Sequence, residues 1–194
     1  MKIQKICVYC ASSSQTDQEY FDAADRLGRV LAKQGITIVY GGGSQGSMGY
    51  LADAALSEGG KVIGVIPDFM VDLEWSHEGL SELQIVNDLH QRKSRMIEEV
   101  DAVIALPGGC GTLEELLEAI TWKRLGIFLQ PIVLVNIRRF FDPLIELFEN
   151  IIQEKFMDKR HHAMWTVVDK PENVLDAIKM APKWNPEARY FAAI

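Results

Sequence analysis

Short apolar runs alternate along the chain with longer stretches in which apolar side chains return every third or fourth residue. The runs Ile3–Cys10, Ile36–Tyr40, Lys61–Ile66, Ala102–Leu106, Pro131–Asn136 and Trp165–Val168 read as strands, with Leu83–Val86 as a shorter one and Pro67 halting the third. Thr16-Asp17-Gln18-Glu19 has the form of a capping box, opening a helix that Phe21, Ala24, Leu27 and Leu31 carry to Gly35. Further helices are predicted over Met48–Glu58, Asp88–Val100, Thr112–Arg124, Phe140–Glu154 and Pro171–Met180. Segment 68–79 has no period; with Asp72, Glu74, Trp75 and His77 it reads as a lid or the rim of a site.

Strands rich in β-branched residues, without a clean period of two and separated by helices, predict a parallel sheet covered on both faces. The expected fold is α/β: one domain over residues 1–194, a doubly wound, Rossmann-like parallel sheet. Three loops rich in Gly or Ser, Ala11–Gln15, Gly41–Ser47 and Pro107–Thr112, each follow a strand and precede a helix. In such a sheet they share the carboxyl edge, where ligands bind at a switch in strand order.

The third loop is the most telling. Val103–Leu106 ends at Pro107, and Gly108, Gly109 and Gly111 lead into the helix that Thr112 opens. Glycines let backbone approach a ligand, and free N–H groups at the positive end of a helix attract an anion, most often phosphate. Thr112 follows Gly111 directly, with no loop lysine and no nearby metal carboxylate, which favours a monophosphate over a triphosphate. Thr112-Leu113-Glu114-Glu115 also fits a capping box, in which Glu115 would only close the helix end. The second loop, Gly41 to Gly46, matches G-x-G-x-x-G but follows the second strand, so a turn holding a nucleotide or ribose, or one built for packing, suits it better than a dinucleotide site.

His90-Gln91-Arg92-Lys93-Ser94-Arg95-Met96 places three cations near a helix start, where positive charge is unfavourable. Arg92, Arg95 and Met96 share a face, so a guanidinium could meet an anion beside an apolar base pocket. The structural alternative is a solvated face pairing with Glu98 and Glu99. On the next helix Leu113, Leu116, Leu117 and Ile120 form the expected core stripe, which at about 100° per residue puts Glu115 and Glu118 on the opposite side. A functional Glu115 would then need cover from the Arg92 helix or a second subunit, and Glu118 beside it could raise one carboxyl pKa.

A net charge of −7 argues against broad binding to nucleic acid or anionic membrane, and no apolar run reaches transmembrane length. The N-terminus shows no signal-peptide pattern, so a cytoplasmic protein is expected. Cys7 and Cys10 lie three apart in a strand and so on opposite faces, as buried thiols rather than a metal or redox pair. His161-His162 lacks a third metal ligand and is expected at the surface; Trp122 and Trp165 are expected to pack.

Y-G-G-G-S-x-G-x-M-G at 40–49, H-x-R-K at 90–93, P-G-G-x-G-T-x-x-E at 107–115 and W-x-x-L-G at 122–126 together resemble the LOG family, nucleoside 5′-monophosphate phosphoribohydrolases that activate cytokinins, some once labelled lysine decarboxylases. The resemblance runs from about Ile6 to Ile178. It implies hydrolysis of the N-glycosidic bond of AMP or N6-modified AMP, with Arg92 and Glu115 catalytic and Gly108, Gly109, Gly111 and Thr112 on the phosphate. Ser14, Gly42, Gly43 and Met96 complete the candidate substrate contacts. The resemblance implies a homodimer with its site near the interface, and neither metal nor organic cofactor. Ala11, where many members have glycine, and Cys110, where an aromatic is common, bear on base preference. A nucleotide or cofactor carrier is the alternative; an amino-acid decarboxylase lacks a lysine in a pyridoxal-phosphate setting.

Overall fold

The computed structural model describes residues 2–71 and 76–192. Asp72, Glu74 and Trp75 of the expected rim segment therefore lie outside the described residues.

Seven strands, β1 (Lys5–Tyr9), β2 (Thr37–Tyr40), β3 (Val62–Pro67), β4 (Glu82–Val86), β5 (Ala102–Ala105), β6 (Ile132–Val135) and β7 (Trp165–Val168), form one sheet. Its order is β4-β3-β2-β1-β5-β6-β7, with every pairing parallel. The winding reverses between β1 and β5, which pair from Ile6 with Ala102 to Tyr9 with Ala105. The loops after these two strands thus flank the switch in strand order, where doubly wound sheets open a crevice.

Helices α1 (Gln18–Lys33), α2 (Gly46–Ser57) and α6 (Val174–Met180) cover one face, and α3 (Leu89–Ile97), α4 (Cys110–Arg124) and α5 (Asp142–Gln153) the other. Strands so enclosed are apolar on both sides, which is why they read as unbroken runs. Cys7 joins the core under α3 and α4, whereas Cys10 joins the core under α1 and α2, as the strand period required. Both thiols are pushed above their ordinary range, chiefly by burial. No described helix is long and apolar enough to cross a membrane.

Several boundaries differ from expectation. Asp17 rather than Thr16 caps α1, its carboxylate accepting from the Glu19 N–H at 3.0 Å. Pro67 is the last residue of β3 rather than its stop, and Asp68–Met70 turn in a short 3-10 helix. Helix α3 ends at Ile97 because Glu98 is extended, with a ψ of 123°, and Glu99 follows at a φ of 57°, neither of which continues a right-handed helix.

Candidate active site

Arg92 rises from the first turn of α3, a helix that Asp88 caps by accepting from the Gln91 N–H at 2.8 Å. Its side chain is buried at the carboxyl ends of β2 and β3. There Nε donates to the Val65 carbonyl at 3.2 Å and Nη2 to the Gly41 carbonyl at 3.0 Å. Gly41 is small for this reason: a Cβ at that position would lie 2.3 Å from Nη2. The loop continues with Gly42 at a φ of 84°, while Gly43 bridges to Ser76 and its carbonyl accepts from the Tyr40 hydroxyl at 3.0 Å. Gly46, at a φ of 57°, packs so closely on the first loop that a Cβ would meet the Ser13 carbonyl oxygen at 2.4 Å. The first two glycine- and serine-rich loops are thus brought together, with Ser14 exposed on the first.

Helix α4 starts at Cys110, two residues earlier than expected, with Gly109 as its cap and the first helical bond from the Leu113 N–H to the Gly109 carbonyl at 3.0 Å. Thr112 therefore lies inside the first turn, not at the cap, and the capping-box reading of Glu115 fails. A Cβ on Gly108 would lie 2.2 Å from the Thr112 Oγ1, so glycine allows the loop to fold onto this buried threonine. Gly109 and Gly111 face open space, with no atom within 4 Å of a Cβ built on either. The N–H groups of Cys110, Gly111 and Thr112 have no intrahelical acceptor at a helix start and lie at its positive end.

Glu115 is buried, on the face that also carries Leu116, Ala119 and Ile120. The expected outward placement is overturned: Leu117, assigned to the core stripe, is 42% exposed, and Thr112, Glu115 and Lys123 take inward positions instead. Glu115 turns toward the end of β1. After burial itself, its charge is the next largest influence raising the Cys7 and Cys10 thiols, while Arg92 acts on the same thiols in the opposite direction. Both charges are therefore felt by thiols in and just after β1, next to the switch in strand order.

Lys93 was not foreseen as a structural element. It is buried between α3 and α4, bonded to Glu114 and 3.3 Å from Glu118. Burial alone would favour its neutral form, but the bonds to Glu114 and Glu118 outweigh it and hold the ammonium above its ordinary range. Glu118 is thus tied to a cation rather than to Glu115. The run of cations reveals charge but not a partner on another helix. Arg95 does not share Arg92's environment; it is exposed and bonded to Gln84 and Glu98, as the solvated-face reading describes. Met96 is fully buried in the core with Val39 and Val65, so it lines no accessible base pocket. Cys110 is exposed. His161 is fully buried, contrary to expectation, while His162 is exposed. Among the described residues no three His, Cys, Asp or Glu side chains gather where they could hold a metal ion.

A glycine loop opening onto a helix start at the reversal of a parallel sheet places this chain among the doubly wound α/β proteins whose ligands bind at the carboxyl edge. A family model described as possible lysine decarboxylase matches residues 48–178. A cytokinin riboside 5′-monophosphate phosphoribohydrolase of Arabidopsis thaliana is 40% identical over 186 residues, which span 96% of this chain and 84% of the relative. A probable enzyme of the same description from Oryza sativa subsp. japonica is 46% identical over 153 residues, 79% of this chain and 69% of the relative. The chain belongs to the LOG family of phosphoribohydrolases. Among solved structures, the molybdenum cofactor binding protein of the phototrophic bacterium Rippkaea orientalis aligns with a TM-score of 0.70 at 24% identity, covering 92% of this chain and 97% of that one. That likeness concerns the fold alone.

Proposed function

We propose that this chain hydrolyses the N-glycosidic bond of AMP or an N6-modified AMP, giving free base and ribose 5-phosphate. The observation that carries the reading is the burial of Arg92 at the carboxyl ends of β2 and β3 and of Glu115 on α4, just after the open backbone of Gly109 and Gly111. The phosphate is held at the start of α4 by Gly108, Gly109, Gly111 and Thr112, without a metal. Water adds to C1′ as the C1′–N9 bond breaks, and the electron pair leaves with the base, which takes up a proton. Positive charge develops on the ribose in between. Glu115 stabilises that charge and accepts the proton of the attacking water. Arg92, held by two backbone carbonyls, orients the nucleotide and offsets its negative charge. Ser14, Gly42 and Gly43 contact the nucleoside.

The working form is a homodimer with its site near the interface. The exposed apolar side chains Leu89 on α3, Leu117 on α4 and Ile127 just beyond it support that reading.

The test is incubation with AMP and with N6-isopentenyl-AMP, quantifying free base and ribose 5-phosphate. Arg92→Ala and Glu115→Gln are each expected to lower turnover by at least about 10²-fold, the scale of removing one transition-state contact. Binding of both nucleotides without release of base would replace the hydrolase reading by that of a carrier.

A further inference from the structure

His77 belongs to no motif that identifies the site, yet three hydrogen bonds fix it. Its backbone N–H donates to the Gly42 carbonyl at 3.0 Å, next to the Gly43–Ser76 bridge. Its Nδ1 accepts from the Gly79 N–H at 3.0 Å, and its Nε2 lies 3.0 Å from Oδ1 of Asp53, two turns into α2. The Gly79 bond assigns the tautomer: Nδ1 is an acceptor, so the proton is on Nε2 and is donated to Asp53. The ring side chain is only 11% exposed, whereas that of Asp53 is 74% exposed. The imidazole therefore ties the 76–79 segment to the body of α2, and the backbone of the same residue ties that segment to the second glycine loop.

That loop needs bracing from outside. Gly42 has a positive φ and no side chain to anchor it, and the loop's far end is fixed where Gly46 meets Ser13. At its near end the Gly41 carbonyl is held by Arg92 and the Gly42 carbonyl by the backbone of His77. We propose that His77, through Asp53, is a positioning residue that holds Gly42 and Gly43 in the conformation that receives the substrate. It acts through the loop and not on the reacting atoms. This inference rests on the phosphoribohydrolase reading for its kinetic consequence, but the tether itself does not.

The test combines hydrogen exchange over residues 42–46 with steady-state kinetics on AMP, using His77→Ala, His77→Asn, Asp53→Ala, Asp53→Asn and His77→Ala/Asp53→Ala. Asparagine at 77 can keep the short turn to Gly79 as an Asx turn but cannot reach Asp53. Asparagine at 53 keeps an acceptor oxygen. His77→Ala, His77→Asn and Asp53→Ala are expected to speed exchange in the loop and raise KM about three- to tenfold with kcat nearly unchanged, the scale of one lost hydrogen bond. Asp53→Asn is expected to stay near wild type, and the double variant to be no worse than either single alanine. Unchanged exchange and KM in both alanine variants, or a loss confined to kcat, or additive effects in the double variant, would overturn the proposal. Absence of base release by the wild-type protein would instead defeat the hydrolase reading, leaving the exchange data to decide the tether.

Discussion

Lys123 presents a buried charge whose energetic weight can be measured. Its side chain is 1% exposed, and among the described residues its ammonium has one hydrogen-bond acceptor, the Gln130 carbonyl at 2.6 Å. The Trp184 ring lies 6.0 Å away, anchored in turn by its indole N–H on the Lys123 carbonyl. Burial pushes the amine from its ordinary value of 10.5 down to about 8. At about 1.36 kcal/mol per pKa unit, keeping the charge inside costs about 3 kcal/mol near neutral pH. The unfolded chain holds this proton more tightly, so the penalty is complete below about pH 8 and is relieved as pH rises from about 8 to 10.5. Lys123→Met keeps the volume and removes the charge, while the Gln130 carbonyl loses a donor at a cost of about 1–2 kcal/mol. The variant should therefore be more stable than wild type by about 1–2 kcal/mol at neutral pH, raising Tm by about 2–8 °C. Urea unfolding of both proteins at about pH 7 and about pH 10.5 measures it: the advantage should vanish or reverse at the higher pH. A variant less stable than wild type at pH 7, or a difference between the two that does not change with pH, would refute the reasoning.

The glycines of the site should separate into two kinds. Gly109→Ala and Gly111→Ala add a methyl group where no protein atom lies within 4 Å, so Tm should hold within about 1 °C while KM for AMP rises at least about tenfold. Gly41→Ala drives a methyl group into the Arg92 guanidinium and should lower kcat by about 10²-fold, the cost of an ångström-scale misplacement. His161 is buried with both ring nitrogens lacking hydrogen-bond partners among the described residues, and burial, then the nearby Arg124, lower its pKa. The unfolded chain thus takes up that proton first, so wild-type stability should fall as pH drops below about 6.5, and His161→Phe should flatten that fall in denaturant titrations across the same range.

The strands and the loops after them were legible because burial on both faces leaves an unbroken apolar run, and a run ends where the chain must turn. β7 is found over Trp165–Val168 as expected, and the three glycine- and serine-rich loops all lie at the carboxyl edge. Helix ends were less legible. Gly109, Cys110 and Gly111 have no preference strong enough to announce a helix start, so Thr112 stood out as a cap although Gly109 occupies that position. At the end of α3 the break is made by Glu98 in an extended and Glu99 in a left-handed conformation, which their residue type does not advertise. Arg92 was recognisable from its place in a helix start, but what holds it was not. Its partners include the carbonyls of Val65 and Gly41, and backbone acceptors carry no sequence signature.

The orientation of α4 shows why the candidate carboxylate could be named yet placed on the wrong side. Leucines at 113, 116 and 117 define an apolar stripe, and a helical wheel built on them sends Glu115 outward. The wheel assumes that every leucine is buried within its own chain. Leu117 is not, and once it is released the inward face runs through Thr112, Glu115, Leu116, Ala119, Ile120 and Lys123. Three of these six are polar, and each answers to a different demand. Thr112 fills the space that Gly108 leaves, and Lys123 reaches the Gln130 carbonyl, so both have a local structural partner. Glu115 is felt along β1 and just beyond it, where its charge raises the Cys7, Tyr9 and Cys10 side chains that burial already disfavours as anions. An apolar side chain there would satisfy the core without that charge. A carboxylate buried near the switch in strand order is a local conflict with packing of the kind the proposed hydrolysis would use.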